Sequence, residues 1–328
     1  MKALRVPDKN KEASSVEMSS SELSAGDVHL QVHYSSLNYK DALAVTGKGA
    51  ILKKFPLNPG IDLSGVVLSS SSPRFTKGQK VLITGCGTGE EVDGGFAEEM
   101  KAQDQNVIPL PEGMSLKDAM FFGTAGFTAA LAVHRLLQND QTPEKGPLLV
   151  TGASGGVGNF SVALLNHLGF EVTALSGKKE RFEKNLKELG AKQVVTWEEL
   201  HLGGRPLEKG LFGGAVDNVG NDVLSKVLAH VRLWGNVASI GLAGGAELHT
   251  SVMPFILRGV SLLGISSNNC TLALRHEIWK QLAGAWKAPA FRHIAVEEIG
   301  LEDVLEKSKA MLARKTYGRT IVRVRENE

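Results

Sequence analysis

Cysteine is almost missing from this chain: Cys86 and Cys270 are the only two in 328 residues. Two thiols so far apart in sequence form neither a spaced metal motif nor a disulfide framework, and both read as ordinary structural thiols. An excess of charge of one sign is missing too. The 37 basic and 35 acidic side chains leave a formal charge of +2, too weak a field to argue for nucleic acid or an anionic membrane surface as partner. Long apolar runs are lacking: Gly146 to Val150 is typical, far short of the roughly 20 residues that span a bilayer. The first residues, Met1-Lys2-Ala3-Leu4-Arg5-Val6, carry charge and no apolar signal core. The expectation is a cytoplasmic protein that binds neither nucleic acid nor membrane, and any anion it recognises must be held locally.

What is present is enough for two cores. A chain of 328 residues exceeds the size at which one hydrophobic core stops growing. Up to about residue 120 the pattern is β-rich, with Asp27–His33 alternating at strand period, further strands at 60–68 and 80–84, and the serine run Ser69 to Ser72 as a surface turn. From residue 122 the grammar changes to strand, glycine turn, helix, strand, which signals a parallel sheet. Strands are expected at 148–151, 171–175, 193–195, 214–217, 236–240 and 261–265, with a helix over 156–168. The tail adds a helix near 272–286 and a last strand at 319–324.

The turn Thr151-Gly152-Ala153-Ser154-Gly155-Gly156-Val157-Gly158 lies between a predicted strand and a predicted helix. Glycines there let the backbone approach a pyrophosphate, whose charge meets the free N–H groups and positive end of the helix. Ser154, Gly155, Gly156 and Val157 are therefore candidate cofactor contacts. The second strand ends in Ser176-Gly177-Lys178-Lys179, where an NAD-binding chain places an acidic side chain on the ribose hydroxyls. A hydroxyl, a tight turn and an ammonium suit the 2′-phosphate of NADP instead; the alternative is a solvated turn with incidental lysines. The expected cofactor is NADPH, with Ser176, Gly177 and Lys178 at its ribose end. Asn218, Gly241 and Leu242 end later strands, where open α/β sheets bind ligands, although Asn218 also suits plain turn chemistry.

Several strings, in order, resemble the zinc-free acryloyl-CoA reductase and quinone oxidoreductase branch of the medium-chain dehydrogenase/reductase superfamily. They are Ser35-Ser36-Leu37-Asn38-Tyr39-Lys40-Asp41-Ala42-Leu43, Pro59-Gly60-Ile61-Asp62, Gly123-Thr124-Ala125-Gly126-Phe127-Thr128-Ala129, the 151–158 turn, and Gly241 to Gly245 followed by Val252 to Arg258. The resemblance implies an α/β fold: a GroES-like catalytic domain from 1–121 and 266–328, a doubly wound Rossmann NADPH-binding domain at 122–265, and an active site in the cleft. Zinc-dependent relatives carry a Gly-His-Glu where this chain has Gly60-Ile61-Asp62, and four clustered cysteines that it lacks, so neither zinc is expected. Reduction of an activated C=C or of a quinone then replaces zinc-alkoxide chemistry.

By the same resemblance Tyr39 and Asn38 are the catalytic candidates. An amide can orient substrate or nicotinamide, and a phenol can donate a hydrogen bond or proton. Tyr39 also contacts the cofactor in this reading; its alternative is a half-buried packing tyrosine. Thr124 is either the family's threonine near the nicotinamide or an N-cap. Asp41 is read as an orienting carboxylate rather than a base. Three functions stay open: reduction of acryloyl-CoA or a similar short enoyl-CoA, with Lys48, Lys53 and Lys54 either meeting the CoA phosphates or merely solvated; quinone reduction; and NADPH binding without catalysis. A homodimer is expected through the sheet edge near Ser261 to Ile265.

Overall fold

Alternation in the first third and continuous apolar runs in the middle third produce two different sheets. In Val28–Ser36, Val28, Leu30 and Val32 are fully buried while His29 and Gln31 are not, the signature of a strand with one face on a core. In Leu148–Val150, Val172–Leu175 and Phe212–Asp217 every residue is buried, as strands of a parallel sheet covered on both faces require. The computed structural model describes residues 1–325 and divides into two compact units. One comprises Met1–Thr124, Ser267–Ala283 and the chain from Val296 on; the other comprises Ala125–Ser266 and Gly284–Ala295.

The first unit holds a seven-stranded sheet. Its order is Val296–Gly300, Arg319–Arg323, Val28–Ser36, Asp62–Ser70, Lys80–Thr84 and Ile108–Pro109, with Glu99–Ala102 also paired to Val28–Ser36. Only the first of these pairings is parallel. A two-stranded sheet of Lys2–Arg5 and Ser14–Glu17 precedes it. Leu30, Val32, Leu63, Val81, Ile83, Phe96 and Met100 fill the core. The short helix Tyr39–Val45 leaves the end of Val28–Ser36 and packs against the helix Val304–Leu312. Sequence periodicity had not indicated either helix, nor the strand Val296–Gly300, because short elements of mixed polarity carry too few periods to read.

Arg275, on the helix Leu272–Ala283, is 1% exposed. Its guanidinium donates to the carbonyls of Thr84 at 2.6 Å, Ser267 at 2.5 Å, Asn268 at 2.9 Å and Cys270 at 3.3 Å. The end of the strand Lys80–Thr84 and the loop after Ser266 are thus stapled by one side chain.

The second unit is a six-stranded sheet in the order Gln193–Val195, Val172–Leu175, Leu148–Val150, Phe212–Asp217, Val231–Ser239, Ser261–Gly264. Every pairing is parallel. Numbered along the chain within this sheet the order is 3-2-1-4-5-6, the doubly wound arrangement, and the order reverses between Leu148–Val150 and Phe212–Asp217. The expected assignment of 266–328 as one piece to the first domain does not hold: Gly284–Ala295 packs with the second unit, where Phe291 meets Phe160 edge-on with ring centroids 5.3 Å apart. Packing of an aromatic side chain, invisible in the local sequence, decides that placement.

Leu116–Gln138 is long and apolar enough to cross a membrane by length and composition, a feature missed by scanning for unbroken apolar runs, yet 78% of its most apolar window is buried inside the protein. Gly123 interrupts it with φ +49° and ψ −155°, a left-handed conformation that glycine tolerates.

Arg275→Met keeps the apolar stem but takes the guanidinium donor from four carbonyl oxygens, of which that of Asn268 still accepts the Cys86 N–H. The expected cost is about 3 kcal/mol, read as a lowered urea midpoint with an unchanged slope; a midpoint equal to wild type would show that the staple carries no stability.

Candidate cofactor-binding and active site

In the second unit, the sheet's carboxyl ends at the reversal point are laced together. Thr151 donates its hydroxyl to Asp217 at 2.7 Å and accepts the Asn218 N–H at 3.0 Å, and the Asn218 amide donates to the Thr151 carbonyl at 2.8 Å. The other oxygen of Asp217 accepts the Gly220 N–H at 2.8 Å. Burial pushes the Asp217 carboxyl up, and the Thr151 and Gly220 donors pull it back. The side-chain oxygen of Asn218 is buried and has no hydrogen-bond partner among the described residues. Gly241 passes so close that a Cβ there would lie 2.5 Å from the Asn218 carbonyl, while Leu242 beside it is exposed.

The turn from Thr151 to Gly158 is shaped by its glycines. Gly152 has φ +59°. A Cβ on Gly158 would sit 2.4 Å from the Gly152 carbonyl oxygen, so the helix Gly156–His167 can close on the turn only with glycine there. Gly155 is the N-cap and has no side-chain partner for the helix's first N–H groups, which leaves those of Gly156 and Val157 available to an anion. Ser154 and Ser176 are hydrogen-bonded through their hydroxyls at 3.1 Å, and Ser176 also accepts the Lys178 N–H at 3.1 Å. Ser154, Ser176, Gly177 and Lys178 therefore form one patch, at the end of Val172–Leu175. Lys179 is engaged with Glu199 at 2.7 Å. A dinucleotide fits this edge on three counts: a turn whose glycines let the backbone come close, helix N–H groups with no side-chain cap for a pyrophosphate, and an unpartnered acceptor at Asn218.

In the first unit a second cluster gathers around Asp62, which has no exposed surface. Its carboxylate accepts from Ser36 Oγ at 2.6 Å, Asn38 Nδ2 at 2.8 Å, the Thr124 N–H at 2.8 Å and Thr124 Oγ1 at 2.5 Å. Thr124 is consequently not a side-chain N-cap: its hydroxyl donates to Asp62, and Asp62 itself caps the helical segment that restarts after Gly123. Asn38 has its amide committed at both ends, donating to Asp62 and to Asp41 at 3.0 Å and accepting from Arg319 at 3.3 Å. Arg319, 3% exposed, also donates to the Phe121 carbonyl at 2.9 Å. Tyr39, the first residue of its helix, is 52% exposed. The sequence reading missed Ser36, Asp62 and Arg319 as site residues. An acidic residue opening the apolar strand Asp62–Ser70 was the available signal for one of them.

Cys86 and Cys270, remote in sequence, line one cavity of about 500 Å3 together with Glu91, Lys101, Asn106 and Asn268. Burial pushes both thiols up and the Arg275 guanidinium pulls them down. Among the described residues no group of three or more His, Cys, Asp and Glu side chains is placed to hold a metal ion. Lys48, Lys53 and Lys54 are exposed.

Burial and the neighbouring Asp62 push the Asp41 carboxyl from 3.8 up to about 7, against the pull of donors from Ile61 and Asn38. The native group therefore keeps its proton over a range in which the unfolded chain has released it. Stability should fall as pH rises from 5 to 8, by the order of 2–4 kcal/mol in all. Urea midpoints across that window test this, and Asp41→Asn should flatten the slope; a slope that survives the substitution belongs to another group.

Residues 24–112 match the family described as "Alcohol dehydrogenase GroES-like domain", and residues 156–286 match "Zinc-binding dehydrogenase". The chain is 46% identical over 312 residues to "Probable acrylyl-CoA reductase AcuI" of Escherichia coli, covering 95% of each chain. It is 43% identical over 308 residues to "Putative quinone oxidoreductase YhfP" of Bacillus subtilis, covering 94% of this chain and 93% of that one. The Salmonella enterica yhdH oxidoreductase, solved in complex with NADP, superposes with a TM-score of 0.95 at 46% identity over 99% of this chain and 100% of its own. The yhfP structure from Bacillus subtilis, solved with NAD bound, gives 0.94 at 41% identity over 98% and 99%. A GroES-like unit, a doubly wound parallel-sheet unit and this degree of likeness together make the chain a member of the medium-chain dehydrogenase/reductase family, in its acrylyl-CoA reductase and YhdH/YhfP oxidoreductase group.

Proposed function

We propose that this oxidoreductase uses NADPH to reduce an activated C=C bond, that of acryloyl-CoA or a similar short enoyl-CoA, without zinc. The observation that carries the reading is the glycine cradle at the reversal point of the sheet, whose ribose end offers Ser176 and Lys178 and no carboxylate. Relatives named as acrylyl-CoA reductases support the substrate class. The YhfP name supports quinone reduction as the second reading.

The chemistry that bound NADPH supplies is a hydride for the substrate's β-carbon. The chain's part is to position the reactants, stabilise charge developing on the thioester oxygen and deliver a proton to the α-carbon. In this assignment Gly155, Gly156 and Val157 present N–H groups to the pyrophosphate, and Ser176, Gly177 and Lys178 hold the 2′-phosphate. Asn218, Gly241 and Leu242 line the edge beyond. Tyr39, exposed and at the start of its helix, serves as the hydrogen-bond or proton donor. Asn38 acts by holding that helix start, since its amide is spent inside the protein, and Thr124 keeps lone pairs for the nicotinamide side. Lys48, Lys53 and Lys54 are exposed, as contacts to CoA phosphates must be and as solvated charges also are.

NADPH should bind much more tightly than NADH by fluorescence titration. Lys178→Ala should weaken NADPH by about 1–3 kcal/mol and leave NADH nearly unchanged, the effect of one charge-assisted phosphate contact. Equal affinities in the wild type would remove the NADP assignment, a real alternative given the NAD-bound yhfP structure.

Rates of NADPH oxidation with acryloyl-CoA, crotonyl-CoA and a simple quinone, side by side, decide between the substrate readings; a quinone preferred over both thioesters would reverse them. Tyr39→Phe should lower kcat on the enoyl-CoA by roughly 10²–10⁴-fold with little change in Tm. A quinone can take its protons from water, so its reduction should suffer less. Intact enoyl-CoA turnover would assign the proton to solvent.

We further infer a cytoplasmic homodimer paired through the edge strand Ser261–Gly264. Trp234, Val252 and Ile256 in the same unit are exposed, and an uncovered strand edge invites pairing. Light scattering at micromolar concentration should return the dimer mass, and elemental analysis should find no stoichiometric zinc.

A further inference from the structure

Four donors converge on the carboxylate of Asp62, and they come from chain segments far apart in sequence: Ser36 and Asn38 at the end of one strand, Thr124 at the restart of a helix. Arg319, from the last strand, closes the cluster by bonding the Asn38 amide oxygen and the carbonyl of Phe121, three residues before Thr124. Asp41 holds the Asn38 N–H at 2.9 Å and the N–H of Ile61, the residue before Asp62, at 2.8 Å. There is no spare room: a Cβ on Gly123 would lie 2.5 Å from Ser36 Oγ, 2.6 Å from Asp62 Oδ2 and 2.8 Å from Arg319 Nη2.

Two buried carboxylates and a buried guanidinium are a costly way to join three strand ends, because well-packed apolar residues hold such junctions as firmly without the desolvation penalty. What the polar cluster provides is direction. Each bond has one geometry, and the residues it orients are those that carry the assigned chemistry. Asn38 sets the first turn of the helix that begins with Tyr39, and the Thr124 hydroxyl is turned into a donor toward Asp62.

We propose that Asp62 is a positioning residue for the reduction, holding Tyr39 through Asn38 and holding Thr124 directly, so that both meet the reactants in a single arrangement. This rests on the role assigned above to Tyr39. Asp62 touches no reactant; it acts through the residues it aims, as supporting bonds act on a preorganised site.

A double-mutant cycle tests it. Asp62→Asn keeps the size but sets an NH2 group against at least one of the four donors, so kcat on the acceptor that the wild-type enzyme reduces should fall by roughly 10–100-fold. In a Tyr39→Phe background the same substitution should cost less than about 3-fold, because the group it aims is already gone. Losses that multiply would make Asp62 a general structural residue and overturn the proposal. Should Asp62→Asn fail to fold, Ser36→Ala removes one donor to the same carboxylate, and its smaller loss of kcat should likewise vanish beside Tyr39→Phe. Tyr39→Phe alone separates the two failures. If that single change leaves turnover intact, the role of Tyr39 falls and the positioning role falls with it; if it lowers turnover and the cycle is multiplicative, only the positioning role is lost.

Discussion

Burying Asp62 together with Asp41 and Arg319 would be prohibitive if any of their polar atoms went unpaired, since a lone charge in a protein interior costs several kcal/mol even after relaxation. None of their side-chain atoms is among the buried unpartnered groups of the described residues. Much of the first unit follows from satisfying them. The strand Asp62–Ser70 must begin where Ser36 and Asn38 end the neighbouring strand, Gly123 must break its helix in a left-handed conformation, and the last strand must bring Arg319 alongside. Burial pushes the Arg319 guanidinium down and the two carboxylates pull it back up, so charge balance and placement are one constraint.

The second unit obeys a different economy. Its sheet buries apolar side chains on both faces; Gln141 and Asn236 are paired within it, and a separate polar group lies at the carboxyl ends of the strands on either side of the reversal. Thr151, Asp217 and Asn218 bond one another there rather than solvent, which ties the two neighbouring strand ends together beside the glycine turn. A ligand with a pyrophosphate finds helix N–H groups already aimed, with no side chain to displace.

Local pattern was a good guide where chemistry and geometry are contiguous in the chain. The alternation of strand, glycine turn and helix predicted the parallel sheet, and all six of its strands lie within a few residues of their expected places. The turn at 151–158 and the Ser176-Gly177-Lys178 patch could be read from residue types alone, because a phosphate site made of backbone N–H groups needs glycines in sequence and little else. The homologous strings in the first unit pointed to Asn38, Tyr39 and Thr124 without showing what holds them.

What the chain's order could not reveal is whatever is assembled from distant segments. Asp62 and Arg319 each read only as a residue of a strand until the sheet order puts them beside Asn38. The two cysteines look unrelated until Arg275 staples their loops to a common cavity. Gly284–Ala295 follows a helix of the first unit yet packs on the second through Phe291. The sequence by itself determined the strands of the parallel sheet, the cradle and the absence of a ribose carboxylate, since each rests on contacts within a few residues. Only the tertiary structure decided which buried charges meet, because a carboxylate's partners are set by where the strands end in space and not by how far apart they lie along the chain.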